Sequence, residues 1–209
     1  MKAIVPYFII ESKIDGNEIL KHIESAGRTS YKSEDCITND SAEKFVKMIL
    51  NKGHLSVIEH HSVTVRVICD RGVSHEIVRH RLASYTQEST RYCNYTKGKF
   101  GSEITVIKPC FWDEKDEKYL IWKQTIEVIE KAYNNLIELG ASPQEARNIL
   151  PNSLKTEIVM TMNLREWHHF FTLRTSQAAH PQMREISIPL LQEFRKRTPI
   201  IFDNIALND

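Results

Sequence analysis

The sequence predicts an α+β fold in which helices pack against a central antiparallel or mixed sheet, with residues 1–209 forming a single domain. Three observations give this prediction. Several stretches space their apolar residues as on one face of a helix, and others are short apolar stretches typical of strands. A length of 209 residues also suits one domain that buries a core without disulfide bonds.

The first half of the chain contains both kinds of segment. We expect strands at residues 2–10 and 61–69, and helices at residues 17–26, 41–52 and 73–79. The strand at 2–10 should be buried, and the strand at 61–69 half-buried because its valines alternate. A capping box of Asp40 and Glu43 should begin the helix at 41–52, and Gly53 should end it.

The second half begins with a strand at residues 104–108 and continues with the longest predicted helix, at residues 115–139. The residues expected to contribute to its apolar stripe are Leu120, Ile121, Ile126, Ile129 and Leu136. Gly140 should end this helix, and Ser142 and Glu145 should cap the next, which Pro151 closes. A strand at 154–162 and helices at 164–174 and 182–197 complete the prediction.

Composition excludes few classes of protein. The net charge is +1, so overall charge predicts neither nucleic-acid nor membrane binding, and no apolar stretch approaches the roughly 20 residues that cross a bilayer. The apolar start MKAIVPYFII has no small-residue cleavage site and is better interpreted as a strand than as a secretion signal. We therefore expect a cytoplasmic protein whose four cysteines are reduced and buried.

The usual glycine-rich nucleotide-binding loops are missing. The sequence has seven glycines and contains neither G-x-G-x-x-G nor G-x-x-x-x-G-K-[ST]. Any bound nucleotide must therefore be held by side chains. Arginine is the best candidate because its planar guanidinium matches phosphate oxygens and stays charged.

The segment at residues 79–92, RHRLASYTQESTRY, places three arginines and a histidine among hydroxyls and an amide. Guanidinium groups there can hold phosphate, while hydroxyl and amide groups can contact the polar edges of a ring. For an arbitrary Arg-His-Arg, a solvated basic turn is the more common interpretation. The longer pattern favours a binding site.

Arg79 to Ser89, an Arg-His-Arg followed by seven residues and a serine, resembles the signature of the flavin-dependent thymidylate synthases. Other blocks occur in the order of that family and span residues 27 to about 186. They are Arg28-Thr29-Ser30-Tyr31, Gly53-His54 with Glu59-His60, Ala146-Arg147 with Leu150-Pro151, Asn163-Leu164-Arg165, and Leu173-Arg174.

The resemblance implies the fold, the assembly and the activity. It implies the α+β fold of that family and a homotetramer with shared active sites, which would explain how a flavin binds without a glycine-rich loop. It implies the reductive methylation of dUMP to dTMP, with FAD as cofactor and with 5,10-methylenetetrahydrofolate and NADPH as co-substrates that supply the carbon and the reducing equivalents.

Residue by residue, the resemblance implies two sets of contacts and one catalytic residue. FAD would contact His54, Ser56, Arg79, His80, Arg81, Gln87, Asn163, Arg165 and His169, with Ser56 supplied by another subunit. The dUMP site would contain Glu76, Arg79, Gln87, Glu88, Ser89, Thr90, Arg91, Arg147 and Arg174. Arg174 would be catalytic, because a cation beside the uracil ring favours its N3-deprotonated form.

Some positions depart from the family pattern. Many members have Asn-Glu where this chain has Thr86-Gln87, and His169 stands where some have Asn. Ser89 is interpreted as a dUMP ligand rather than a nucleophile, because a serine needs a nearby base and His80 is near only in sequence. No metal site is expected, since adjacent histidines such as His168 and His169 do not share a helix face.

Two alternatives remain open. The arginines could bind phosphates of a nucleic acid, although the net charge argues against it, and such binding would weaken steeply with salt. The chain could also be a flavoprotein of this fold that has lost synthase activity, which the presence of both Arg147 and Arg174 argues against.

Overall fold

The computed structural model describes residues 1–95 and 103–207. The chain divides into two compact units. Unit 1 consists of Met1–Tyr7, Val67–Arg79 and Thr86–Ile158, and unit 2 of Phe8–Arg66, His80–Tyr85 and Val159–Asp209. Neither unit is a continuous segment, and a single domain over residues 1–209 stays a prediction.

The described residues form the strands and helices of a mixed α and β protein. The strands are β1 (Lys2–Ile4), β2 (Tyr7–Ile10), β3 (Ser62–Asp70), β4 (Ala83–Gln87), β5 (Thr105–Ile107) and β6 (Lys155–Asn163). The helices are α1 (Gly16–Arg28), α2 (Ser41–Asn51), α3 (Arg71–Ile77), α4 (Glu117–Glu138), α5 (Pro143–Ala146), α6 (Leu164–Arg174) and α7 (Pro181–Arg197).

The strands form two sheets, one of two strands and one of four, and both parallel and antiparallel pairs occur among them. β1 pairs in parallel with β5, with Ala3 opposite Val106. The larger sheet has the order β2-β3-β6-β4. Arg71 donates its N–H to the carbonyl of Asn152, and Thr64 shares a hydroxyl hydrogen bond with Thr161, so β3 and β6 run in opposite directions. The predicted α+β class with an antiparallel or mixed sheet is confirmed.

Unit 1 has a core between β5, α4 and the segment before β6. Its buried residues are Tyr95, Ile104, Val106, Ile126, Tyr133, Ala146 and Leu154. The capping box of Ser142 and Glu145 is present at the start of α5. Gly53 and Gly140 follow α2 and α4 with φ of +73° and +94°, a conformation that favours glycine and ends a helix.

Unit 2 has an aromatic core on α6 and α7. Trp167, Phe170, Phe171 and Phe194 are all at most 1% exposed, and Trp167 and Phe194 have ring centroids 4.9 Å apart. The indole of Trp167 donates to the carbonyl of Val63 over 3.0 Å. Burying one such ring stabilises the fold by about 1.5–3 kcal/mol, so this core fixes α6, which carries several candidate site residues.

Residues 2–10 are not one buried strand. The stretch divides into β1 and β2 around Val5-Pro6, and Tyr7 and Ile9 are about half exposed. Proline has no N–H to donate to a ladder, which favours an interruption there. β1 then pairs with β5, whereas β2 pairs with β3.

Other local predictions are wrong. Asp40 makes no side-chain hydrogen bond to the start of α2. Leu120 and Ile121 are 45% and 58% exposed instead of lying in a buried stripe of α4. Cys36 and Cys110 are exposed rather than buried. The strand β4 was not predicted, because its residues fall within the polar segment 79–92.

Candidate active site

The Arg-rich segment 79–92 is divided between the two units. Arg79 closes one segment of unit 1, His80–Tyr85 belongs to unit 2, and Thr86 begins the next segment of unit 1. The structure therefore places the predicted residues in two clusters, and each cluster has its own hydrogen-bond network.

In unit 1, Gln87 at the end of β4 connects α3 to β6. Asp70 caps α3 by accepting the N–H of Val73 over 2.8 Å, which fixes Ser74 one turn into the helix. The Gln87 amide nitrogen donates to the Ser74 hydroxyl at 2.9 Å and to the Thr156 hydroxyl at 3.1 Å. Both amide hydrogens are therefore used within the protein rather than available to a ligand.

Glu88, the next residue, forms a largely buried ion pair with Lys155. Its Oε2 lies 2.6 Å from Nζ of Lys155, and the two side chains are 12% and 19% exposed. Its Oε1 accepts the hydroxyl of Tyr95 at 3.2 Å. Burial, together with the Glu88 charge, raises the pKa of Tyr95, so this hydroxyl stays protonated and remains a donor. Both carboxylate oxygens of Glu88 are engaged inside unit 1.

Ser89, Thr90 and Arg91 lie in the turn after β4. The Ser89 hydroxyl accepts the N–H of Arg91 at 3.2 Å, and its carbonyl accepts the N–H of Tyr92 and of Cys93. The guanidinium of Arg91 lies 5.4 Å from the centroid of the Tyr92 ring. Ser89 is thus held by its own turn, and its role as a ligand rather than a nucleophile stays a prediction.

The predicted dUMP-binding arginines of unit 1 are exposed. They are Arg79 after α3, Arg91 after β4 and Arg147 after α5. Across residues 1–95 and 103–207, none of the three pairs with a carboxylate. Guanidinium groups without an internal anion are suited to an external one such as phosphate. The predicted dUMP residue Glu76 is half-buried on α3.

In unit 2, His80 lies at the centre of a buried network. Its Nδ1 is 3.1 Å from Oε1 of Glu166, and its Nε2 accepts the Nε–H of Arg174 at 3.1 Å. The hydroxyl of Tyr85 donates to the His80 carbonyl over 2.7 Å. The imidazole packs edge-on against Phe170 at 5.0 Å. His80 and Glu166 are only 4% and 6% exposed.

Electrostatics keep His80 neutral. Burial, the Arg174 cation and nearby His169 lower the pKa of His80 to about 4. Burial raises the pKa of Glu166, and His169 opposes that shift. A neutral imidazole beside Arg174 avoids repulsion between a buried imidazolium and the partly buried guanidinium.

His80, Glu166 and His169 are close enough to suggest a metal site, because one ligand atom of each lies within 4.8 Å of the others. The hydrogen bonds argue against that interpretation. The Nε2 lone pair of His80 already accepts from Arg174, and Nδ1 bonds Glu166, so His80 has no lone pair for a metal.

Three predicted flavin residues line one cavity of unit 2. Asn163, Arg165 and His169 line a space of about 630 Å³, together with the apolar Leu55 and Leu82. The Asn163 side-chain oxygen caps α6 by accepting the N–H of Glu166, and Arg165 pairs with Glu59 over 2.5 Å. The cavity is lined by apolar side chains together with amide, guanidinium and imidazole groups.

Three other predicted flavin residues of unit 2 lie outside this cavity, and Arg79 and Gln87 belong to unit 1. His54 lines a second cavity of about 590 Å³ with Arg28 and Phe45. Ser56 and Arg81 are exposed. The 630 Å³ cavity therefore gathers only part of the predicted flavin contacts.

Several residues of the two networks were not predicted from the sequence: Ser74, Tyr85, Lys155, Thr156 and Glu166. Two signals were available. Alternation along β6 puts Lys155 and Glu157 on one face. A glutamate three residues after a capping asparagine marks the first turn of α6, but the pattern predicts a helix start rather than a contact with His80.

The described residues contain no helix that is both long enough and apolar enough to span a membrane.

Comparison with known proteins points to one family. The family model "Thymidylate synthase complementing protein" matches residues 14–200. A protein of Pyrococcus furiosus named flavin-dependent thymidylate synthase is 38% identical over 175 residues, covering 83% of this chain and 71% of that protein. One of the same name from Mycobacteroides abscessus is 32% identical over 210 residues, covering 92% and 81%.

Solved structures agree on the fold. The crystal structure of the UMP/dUMP methylase PolB from Streptomyces cacaoi with 5-Br dUMP has a TM-score of 0.78. It covers 97% of this chain and 96% of that chain, at 23% sequence identity.

Proposed function

The chain belongs to the thymidylate synthase complementing protein family, and we propose from this premise that it converts dUMP to dTMP as a flavin-dependent thymidylate synthase. The carbon would come from 5,10-methylenetetrahydrofolate and the reducing equivalents from NADPH. The observation that carries the proposal is the hydrogen bond between His80 and Arg174, which joins the Arg-His-Arg signature to the predicted catalytic arginine.

The 630 Å³ cavity of unit 2 fits part of a flavin. Leu55 and Leu82 offer apolar surface for a flat ring, and Asn163, Arg165 and His169 offer polar groups for its edge. FAD, when bound, supplies the redox chemistry between NADPH and the pyrimidine. The protein supplies binding and orientation, with His54, Ser56, Arg79, His80, Arg81 and Gln87 as the other proposed contacts.

For dUMP, the exposed arginines of unit 1 are the proposed phosphate ligands. Arg79, Arg91 and Arg147 have no carboxylate partner among the described residues, so their charges are free for an anion. The remaining proposed contacts are Glu76, Gln87, Glu88, Ser89 and Thr90. Gln87 and Glu88 would act mainly by shaping the site, because their polar atoms already bond Ser74, Thr156, Lys155 and Tyr95.

Arg174 is the proposed catalytic residue. Its guanidinium beside the uracil would favour loss of the N3 proton, since a neighbouring cation stabilises the charged form of an acid. The added charge would polarise the C5–C6 bond of the ring. Fixed cations near developing charge are a large contribution in many enzymes, because they need no reorganisation during the reaction.

We further propose a homotetramer with active sites shared between subunits. In support, exposed apolar residues occur along α4 and just after its end, with Ile121 58%, Val128 66% and Leu139 86% exposed. Leu82 and Tyr92 in the signature segment are also more than 70% exposed. Light scattering should give the mass of four 24.3-kDa chains, and the mass of a single chain would contradict the proposal.

An anaerobic titration tests the function. Purified protein is loaded with FAD, and its visible spectrum is followed as NADPH, dUMP and then methylenetetrahydrofolate are added. Bleaching by NADPH, recovery on adding the folate and formation of dTMP would support the proposal. Bleaching by NADPH without formation of dTMP would support a flavoprotein and contradict the assignment of dUMP as its substrate. Absence of flavin binding would contradict both, and salt-dependent binding to a DNA oligonucleotide would then be measured.

A further inference from the structure

We propose that Glu166 is a positioning residue: it fixes the proton of His80 on Nδ1, so that Nε2 accepts from Arg174 and holds that guanidinium in one orientation. The role given to Arg174 rests on the proposed function. The arrangement of the three side chains does not, because it follows from the distances and from the chemistry of the donors.

Arg174 is the donor in its contact with His80. Its Nε carries a hydrogen and has no acceptor capacity, so in the 3.1 Å contact with His80 it must donate. Nε2 of His80 must therefore present a lone pair. An imidazolium would direct an N–H toward the Nε–H of Arg174, so the charged form of His80 is incompatible with this contact.

The proton of neutral His80 must then be on Nδ1. A neutral imidazole carries one N–H, and Nδ1 lies 3.1 Å from Oε1 of Glu166. Glu166 is consequently the acceptor in this contact. Both side chains are nearly inaccessible to solvent, with Glu166 8% and His80 2% exposed, so water cannot substitute easily for the missing acceptor if Glu166 is removed.

The helix α6 makes the network rigid. Glu166 and Arg174 are eight residues apart on α6, or slightly more than two turns, so they lie near the same face about 12 Å apart along the axis. The imidazole of His80 bonds both side chains, which reach toward each other from these two positions. Both ends are anchored, because the Glu166 N–H bonds the capping side chain of Asn163 and the Arg174 carbonyl accepts the hydroxyl of Ser187.

Groups around Glu166 are consistent with an acceptor at this position. The Tyr85 hydroxyl donates to the His80 carbonyl, and so holds the backbone of His80 in place. His169 lies edge-on to His80, with ring centroids 5.5 Å apart, and Phe170 lies edge-on at 5.0 Å. A carboxylate that bonds one imidazole nitrogen commonly sets the tautomer and orientation of the ring.

The test compares Glu166→Leu, which removes the acceptor, with Glu166→Gln, whose carbonyl can still accept. Glu130→Leu is the matched control, since Glu130 is a partly buried carboxylate of unit 1 that bonds the amino terminus and the Ile104 N–H. Each variant is loaded with FAD, and its dUMP dissociation constant is measured from the flavin spectrum in the wild-type and Arg174→Ala backgrounds.

We expect Glu166→Leu to weaken dUMP binding at least tenfold in the wild-type background and less than twofold in the Arg174→Ala background, because it acts through Arg174. Glu166→Gln and Glu130→Leu should stay within about threefold of the wild type. An equal loss from Glu166→Leu in both backgrounds would show that Glu166 only supports folding, and would overturn the proposal.

A second readout does not depend on activity or on folding of the leucine variant. Histidine labelled with ¹⁵N, with the His80 signals identified by their absence in His80→Gln, reports which ring nitrogen carries hydrogen. Wild-type protein should show Nδ1–H and unprotonated Nε2. Protonated Nε2 would overturn the proposal. If His80 has the expected tautomer but the protein does not form dTMP, only the proposed synthase function would be contradicted.

Discussion

Arg174 and His80 are 94 positions apart in the sequence and share one hydrogen bond of 3.1 Å from Nε to Nε2. The bond joins the last residue of α6 to the histidine of the Arg-His-Arg signature. Because Arg174 can only donate, the bond also determines the protonation of the imidazole.

Replacing Arg174 should separate flavin binding from turnover. We expect Arg174→Ala to retain FAD and to lower dTMP formation by about 100- to 1,000-fold, since removal of one preorganised donor costs about 2.7–4 kcal/mol. Arg174→Lys keeps the charge but lacks the planar fork, so its activity should fall between the two. Near-normal turnover in Arg174→Ala would remove Arg174 from catalysis.

Replacing Arg79 should weaken two ligands, because the resemblance places this guanidinium on both FAD and dUMP. We expect Arg79→Ala to raise both dissociation constants by about tenfold, as the loss of a charged hydrogen bond would. Fluorescence titration with FAD and spectral titration with dUMP measure the two constants. A change in only one of the two dissociation constants would refute the prediction that Arg79 contacts both FAD and dUMP.

The stability of the protein should fall in mild acid partly because of His80. Its folded pKa of about 4 lies below the ordinary value of 6.5, so the unfolded chain binds the proton first as the pH falls. This contribution is complete above about pH 6.5 and is lost toward pH 4, and it amounts to at most about 3 kcal/mol.

Urea unfolding of wild type and His80→Gln at pH 7 and pH 5 measures this contribution. Glu166 titrates with the opposite sign, because burial raises its pKa. The quantity to compare is therefore the change in unfolding free energy between the two pH values in each protein. It should be smaller in His80→Gln, and an equal change would exclude His80 as a source.

Breaking the Lys155–Glu88 pair should destabilise unit 1. Lys155→Met leaves a carboxylate that is 12% exposed without its cation, and we expect a loss of about 2 kcal/mol of unfolding free energy. For a chain of this length that corresponds to a melting temperature lower by roughly 4–8 °C. Lys155→Arg should retain most of the stability. A loss under about 0.5 kcal/mol would mean that solvent already screens the pair.

Gln87 should prove structural. Gln87→Leu removes both donors to Ser74 and Thr156 and should cost about 1–3 kcal/mol of unfolding free energy. Gln87→Glu should cost less than Gln87→Leu, because the Thr156 hydroxyl can rotate and donate to a carboxylate, whereas the Ser74 hydroxyl already donates to the Arg71 carbonyl. Equal destabilisation of the two variants by urea would show that the amide hydrogens themselves are required.

The sequence alone determined the family and most of the helices and strands. The signature 79–89 and the blocks around Arg147, Asn163 and Arg174 carry functional residue types at fixed spacing, and such spacing is visible without coordinates. The helices α1, α2, α4, α6 and α7 followed from apolar periodicity, which reflects burial of one face. Local predictions were wrong at residues 2–10, where β1 and β2 belong to different sheets.

Only the tertiary structure decided which partners these residues have. Nothing in the spacing of His80, Glu166 and Arg174 shows that one imidazole bonds both side chains of α6, or that Lys155 neutralises Glu88 across β6 and β4. Hydrogen bonds and ion pairs depend on distances of about 3 Å between residues that lie far apart in the chain. Those distances are set by how the helices and strands pack, whereas sequence patterns report mainly the environment of each segment.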